Sequence, residues 1–410
     1  MTGKLIQRSV GSWSIVLYLG RDPVTRKKRQ KWHTFRGNKK AAQKELTRLV
    51  HEVNTGAYIE PAKLTVGEYL DRWLTDYAKT NVAGKTFERY SEIVTMHLKP
   101  ALGGVPLHQL KPLHIQGYYS RALQSGRSRK TKQQKGEQNA EPRGLSAQTV
   151  LHHHRVLREA LGRAVKWQLL IRNPADAVEP PKPPRREMRA LSEAETAWLL
   201  EVAKGTRFYI PVLLAVTTGM RRGEFLALRW SDCDLQTGGV AVNRSIEQTG
   251  AGLAFKSPKG RKGRPITLLA MAINALKDHQ QVQTHQKKAV GPDYHDGDLV
   301  CAREDGSLWP PDTFTADFAR LARRAGLKVR LHDLRHSHAT QLLIAGVHPK
   351  VVSERLGHST VGITLDIYSH VLPGLQEDAA KKLDAALQAA IRDRERAKSA
   401  NGGISSGLAN

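Results

Sequence analysis

Residues 331–370 read LHDLRHSHAT QLLIAGVHPK VVSERLGHST VGITLDIYSH, and the fold turns on this stretch. His332 and Arg335 are three apart, so a helix puts them on one face. Gly357 suits the end of one short helix, leaving His358 at the turn before the next. Tyr368 follows ten residues after His358, on a further short helix. These four side chains could meet on one phosphate. A phenol with a pKa near about 10 is a poor nucleophile at neutral pH until nearby cations favour its anion. Each residue alone has a plainer reading. A lone tyrosine on an amphipathic helix is usually core edge, and isolated arginines are mostly solvated. His332 and His336, four apart, would suit a metal pair. The Glu of a His-Glu-x-x-His site is absent, however, and no third ligand suggests itself.

The combination gains its meaning upstream. Thr218-Gly219-Met220-Arg221-Arg222-Gly223-Glu224 follows the apolar run Ile210 to Val216. A buried helix is expected to end at Gly219 and another to run from Arg221 to Trp230. With that fragment the chain resembles the tyrosine recombinases of the phage-integrase family. The family's Thr-Gly-x-Arg-x-x-Glu pattern puts its first catalytic arginine at Arg221. Its His-x-x-Arg pair falls on His332 and Arg335, its Leu-Gly-His on Leu356, Gly357 and His358, and its nucleophile on Tyr368. The resemblance implies a catalytic lysine on a β-hairpin, where Lys256 matches, with Lys259 and Lys262 as close rivals.

Bulk composition agrees with a polyanionic partner. The 410 residues carry a formal charge of +27, which alone leaves DNA, RNA and anionic membrane open. No apolar run approaches the roughly 18 residues of a membrane span, and the N-terminus lacks a signal-peptide core. Membrane binding therefore loses ground. Cys233 and Cys301 are too few for a disulfide framework or a zinc site and read as reduced, intracellular thiols.

Residues 1–60 read as a separate basic module. Trp13, Ile15, Leu17 and Leu19 alternate with Ser12, Ser14, Val16 and Tyr18 as in a strand, and a basic strand follows around Lys27 to Phe35. Asn38 caps a helix to about Asn54. A three-stranded sheet backed by one helix would present cations (Lys27, Lys28, Arg29, Lys31) and Trp32 on one face, as strands reading a major groove do. The plainer reading is a solubilising basic domain. The layout resembles the arm-type DNA-binding modules of phage integrases.

Thr65-Val66-Gly67-Glu68 is a capping box opening a helical domain, with Val66, Tyr69, Leu70, Trp73 and Tyr77 at helical spacing. Further helices are expected at Lys85–Leu98, Pro112–Gln124 and Ser146–Trp167. The polar insert between the last two reads as flexible. The His152-His153-His154 run points three ways on a helix and so does not suit a metal. Residues 174–187 are proline-rich, a linker of fixed reach whose Arg185 and Arg186 should run near a DNA backbone.

Ser192 and Glu195 form another capping box at the start of the last domain. Strands are expected at Gly239–Ile246, Leu253–Ser257, Arg264–Leu268 and Asp298–Ala302. Lys259, Arg261 and Lys262 form a basic turn suited to phosphates. Helices are expected at Met271–Lys288, Pro311–Ala325 and Gln376–Ala397. The last has an apolar stripe offered either to a neighbouring subunit or to its own domain. The tail from Ser399 reads as disordered.

The resemblance implies a multidomain, mainly α chain. Its parts are a small three-stranded β-sheet plus helix N-terminal module (1–60), a four-helix core-binding, SAM-like domain (64–173), the linker (174–187), a mixed α+β catalytic domain of tyrosine recombinase type (188–398) and a tail (399–410). It implies a site-specific recombinase, the integrase of a phage or other mobile element, forming a 3′-phosphotyrosine without metal or other cofactor. It also implies double-stranded DNA attachment sites of core and arm type, a homotetramer, accessory DNA-bending and directionality factors, and the cytoplasm and nucleoid of a prokaryotic host. Two rivals share the features: a type IB topoisomerase-like enzyme that relaxes DNA, and a catalytically inactive DNA-binding regulator.

Overall fold

The computed structural model describes residues 3–21, 26–54, 64–126, 144–184, 188–257, 263–368 and 375–402, with side chains at 367–368, 375–379 and 397–402 excepted. The chain divides into two compact units, Met1–Arg185 and Arg186–Asn410.

In the first unit, β1 (Gly3–Ser9), β2 (Ser12–Arg21) and β3 (Lys28–Arg36) form an antiparallel sheet in that order. Helix α1 (Lys39–Asn54) lays Leu46 and Leu49 on Ile15 and Leu17. Strict in–out alternation was expected along β2, yet Ser14 and Val16 are buried as well. Long side chains cover the face away from the helix. The Arg8 Nε donates to Ser14 Oγ (3.1 Å), its guanidinium lies 5.4 Å from the Trp32 ring, and Trp32 is the cross-strand partner of Val16.

Four helices follow, two of them continuing through a π turn. Helix α2 (Val66–Trp73) runs through Leu74–Ala78 to Lys79–Asn81, and α3 (Gly84–Ile93) runs through Val94–Leu98 to Lys99–Leu102. Helices α4 (Pro112–Ser125) and α5 (Ala147–Lys166) complete the bundle. The Thr65–Glu68 capping box is formed, and Val66, Tyr69, Leu70 and Trp73 are fully buried. Burying the tyrosines of this core requires partners for their hydroxyls. Tyr69 donates to Ala160 O (2.5 Å), Tyr118 pairs with His153 Nδ1 (2.6 Å) and Tyr119 with His154 Nδ1 (2.8 Å). His152 faces outward beside Gln148, so the histidine run does diverge.

The second unit begins at the Ser192–Glu195 capping box of α6 (Glu193–Ala203). Helix α7 (Tyr209–Thr218) is buried from Ile210 to its end. The helix expected over Arg221–Trp230 is only one turn, α8 (Arg222–Phe225). Beyond it Leu228 O accepts from Val300 N (2.9 Å) and Arg229 bridges Leu299, so pairing across the chain replaces the helical ladder. For the same reason Asp298–Ala302 is no strand but a segment held by isolated bridges at Leu299 and Ala302.

The strand expected over Gly239–Ile246 is two. Strands β4 (Cys233–Asp234), β5 (Gly239–Val242) and β8 (Arg264–Thr267) form one sheet. Strands β6 (Ser245–Thr249) and β7 (Gly252–Lys256) make a separate hairpin.

The remaining helices are α9 (Ala270–Val290), α10 (Pro311–Arg324), α11 (Leu331–Ile344), α12 (Pro349–Leu356), α13 (Val361–Tyr368) and α14 (Leu375–Gly402). Residues 380–396 of α14 are exposed, Leu383, Leu387 and Ile391 included, so the described part of that stripe does not pack on its own unit. Among the described residues no helix is long and apolar enough to cross a membrane.

Candidate active site

The site is assembled on the carboxyl end of α12. The last carbonyls of a helix lack intrahelical partners and carry partial negative charge, so cations collect there. Three consecutive carbonyls take three different arginines. Arg355 O accepts from Arg264 Nε (2.8 Å), Leu356 O from Arg335 (2.7 Å) and Gly357 O from Arg221 (3.1 Å). Gly357 makes this possible by adopting a left-handed φ of +66°, turning the chain out of the helix. Gly219 does the same at the end of α7, with φ +67°, and offers its own carbonyl to Arg335 (2.7 Å). Arg335 is buried, while the side chain of Arg221 keeps about a quarter of its surface open.

Glu224 sits behind these cations with a side chain only 1% exposed. Its carboxylate accepts from Arg221 NH1 (2.8 Å), the Arg221 backbone N–H (2.9 Å) and Arg264 NH2 (2.7 Å). Burial alone would raise this carboxyl, but the Arg264 and Arg221 guanidiniums outweigh it and hold the group below the usual carboxylate range.

The histidines are held neutral. Burial, then Arg335 and Arg221, push His358 down to about 4, and its Nδ1 meets the buried Thr364 hydroxyl of α13 at 2.8 Å. Partial burial and the same two arginines lower His332. His336, pushed down to about 4 by burial and by His332, stacks edge-on to that ring at 5.0 Å. Among the described residues no three His, Cys, Asp or Glu side chains gather to hold a metal, so the His332–His336 pair gains no third ligand there.

Arg221, His332, Arg335 and His358 thus come together from the residue capping α8, from α11 and from the turn after α12. Tyr368 is the last residue of α13, and its side chain lies outside those described. Lys256 ends β7, half exposed and ion-paired with Glu247. Its rivals Lys259 and Lys262, with Arg261, Arg185 and Arg186, lie outside the described residues.

The basic group of the N-terminal sheet does not share one face. Register puts Lys28 on the side of Trp32, and Arg29 and Lys31 on the side of α1, where Lys31 pairs with Leu17; Lys27 precedes the strand and is exposed. Alternation along a strand forbids neighbours 28 and 29 from one face.

Sequence reasoning missed three residues. Arg264 read as the first residue of a strand. His338 and Arg355 were not singled out, yet Arg355 Nε donates to His338 Nε2 (3.0 Å) and its NH2 to Thr217 O (2.9 Å), while His338 Nδ1 meets Val216 O (2.9 Å). No local pattern announces bonds across 40 to 138 residues. Only Arg355 had a signal nearby in the chain, Gly357 two residues on with its φ of +66°.

The model of the phage integrase family matches residues 188–374, and that of the phage integrase N-terminal SAM-like domain matches residues 65–123. A tyrosine recombinase XerC-like protein of Caldanaerobacter subterraneus subsp. tengcongensis is 27% identical over 393 residues, covering 91% of this chain and 95% of the relative. A prophage integrase of Escherichia coli is 24% identical over 417 residues, covering 92% and 97%. Among solved structures, a Tn1549 transposon integrase in complex with a circular intermediate DNA superposes with a TM-score of 0.63 at 20% identity, over 78% of this chain and 99% of that one. A lambda integrase tetramer bound to a Holliday junction gives 0.54 at 18% identity, over 89% and 94%.

Proposed function

Since the chain belongs to the phage integrase family of tyrosine recombinases, we propose that it is a site-specific DNA recombinase, cutting and rejoining DNA to integrate or excise a mobile element. The observation that carries the reading is the convergence of Arg221, Arg335 and His358 on one helix end, with Tyr368 on the helix that Thr364 ties to His358. We divide the chain into an arm-binding module (1–60), a core-binding domain (64–173), a linker (174–187), a catalytic domain (188–398) and a tail (399–410).

A phosphodiester resists attack because its charge repels nucleophiles and its alkoxide leaves poorly. Arg221 and Arg335 answer the first difficulty by donating forked hydrogen bonds to the nonbridging oxygens, a geometry lysine cannot copy. Removing such a donor costs about 3–4 kcal/mol of transition-state stabilisation, by analogy with an oxyanion-hole donor. His358, neutral and with Nδ1 at Thr364, has Nε2–H to donate as well. Neutral His332 accepts the phenol proton as Tyr368 Oη bonds to phosphorus. The bond from phosphorus to the 5′ oxygen breaks, and Lys256 protonates that oxygen once it leaves Glu247. A 3′-phosphotyrosine and a free 5′-hydroxyl result. The ester keeps the bond energy, so attack by a hydroxyl of another duplex rejoins strands with no nucleotide consumed.

The partner is double-stranded DNA, bound as a homotetramer holding two duplexes in the cytoplasm of a prokaryotic host. A tetramer on a Holliday junction is how the lambda relative was solved. To test the reading, a nicked duplex made from the DNA flanking the reading frame is incubated with the full chain. Wild type should form an SDS-stable protein–DNA species, and Tyr368→Phe should bind the same duplex and form none. An adduct from Tyr368→Phe would refute the assignment of the nucleophile.

A further inference from the structure

Arg264 belongs to none of the motifs of the catalytic cluster, yet it makes three side-chain hydrogen bonds beside it. Only 11% of its side chain is exposed. Its NH1 and NH2 groups both donate to Glu224 (3.2 and 2.7 Å), while Nε donates to Arg355 O (2.8 Å). All three contacts follow from the planar fork, so the guanidinium is fixed at both edges.

The carboxylate it grips is the one that orients Arg221. Glu224 carries one negative charge and is shared by two guanidiniums, so the group of three keeps a net positive charge. Arg221 spends one N–H on Glu224 and one on Gly357 O, leaving the rest of its five donors for a ligand. Without Arg264, Glu224 is free to close a two-bonded pair with Arg221 alone. Such a pair cancels the arginine's charge and turns its fork away from an incoming phosphate.

We infer that Arg264 is a positioning residue for strand cleavage, acting through Glu224 to keep the Arg221 fork charged and aimed at the scissile phosphate. The inference rests on the recombinase reading above. Arg264 itself touches neither DNA nor the reacting atoms. A purely structural role predicts something different: a loss of fold or of DNA affinity, independent of what occupies position 221.

A double-mutant cycle separates the two. Single-turnover cleavage of the nicked flanking-DNA duplex is measured for wild type, Arg264→Lys, Arg221→Lys and the double variant, with duplex affinity measured beside it. Lysine keeps the charge at 264 but cannot make the fork. Arg264→Lys is expected to bind the duplex within about twofold of wild type and to cleave it about 10- to 100-fold more slowly. In the Arg221→Lys background the same change should slow cleavage less than about threefold, because residues acting through one another are not additive. Equal losses in both backgrounds, or no loss in either, overturn the inference. Arg264→Gln goes through the same cycle, and loss of fold in both 264 variants, seen by circular dichroism, also overturns it. Absence of any adduct from wild type is a separate result: it sinks the recombinase reading and this inference with it.

Discussion

Replacing Glu224 by glutamine tests whether one carboxylate organises the cations of the site. The side chain is 1% exposed and its partners Arg221 and Arg264 are 27% and 11% exposed, so solvent screens the pairs little. Glutamine keeps the shape and one acceptor, but turns an amide N–H₂ toward guanidinium donors and leaves two cations without their counter-charge. Breaking a buried pair from one side costs about 3–5 kcal/mol. For a unit of this size, Arg186–Asn410, each kcal/mol moves the midpoint by about 2–4 °C, so a fall of about 6–20 °C is expected. Differential scanning calorimetry of the full chain at pH 7 reads it. The pH dependence carries a sign. The folded carboxyl titrates below its ordinary 4.5, so its contribution is present above that pH and is lost as pH falls through the folded value. The gap between wild type and variant should therefore close in acid. A folded Glu224→Gln protein within about 2 °C of wild type at pH 7 would refute the reasoning.

Two further outcomes follow from the packing. Gly219→Ala would place a Cβ 2.6 Å from Leu356 Cδ2 and 2.7 Å from His338 Cδ2, at a φ of +67°. Strain plus overpacking should cost about 2–4 kcal/mol, read from urea midpoints; a loss under about 1 kcal/mol would contradict the described contact. Acid should also weaken the fold through histidines. His153 is pushed down to about 3, and His336, His338 and His358 to about 4, in each case chiefly by burial. The unfolded chain binds protons first, so stability is full above about pH 6.5 and falls below it, by up to about 1.4 kcal/mol per pH unit for each group. Urea midpoints that stay level from pH 7 to pH 5 would exclude this.

What could be read from the sequence was local. His332 and Arg335 lie three apart on one helix, and Gly219 and Gly357 stop helices by adopting a conformation that suits glycine, so spacing and residue type sufficed. The capping boxes at Thr65 and Ser192 involve partners three residues away and formed as expected. Errors arose where a distant chain competes for the backbone. Leu226-Ala227-Leu228 is apolar enough for a helix, but Leu228 O is taken by Val300, and the segment around Val300 is in turn a pinned loop. Arg264, Arg355 and His338 escaped notice because, the Arg355–His338 bond apart, their partners are Glu224 and carbonyls 40 to 138 residues away. The N-terminal basic strand was read as one charged surface, although a period of two must divide it.

The tyrosine–histidine contacts of the helical bundle bear on how this protein can vary. Tyr118 with His153 and Tyr119 with His154 are two rungs at the same offset of 35 residues, like successive teeth of a zip between α4 and α5. Sliding one helix by a residue would break a rung and strand a polar group in the core. Alignment of the two helices is thus held by the teeth themselves.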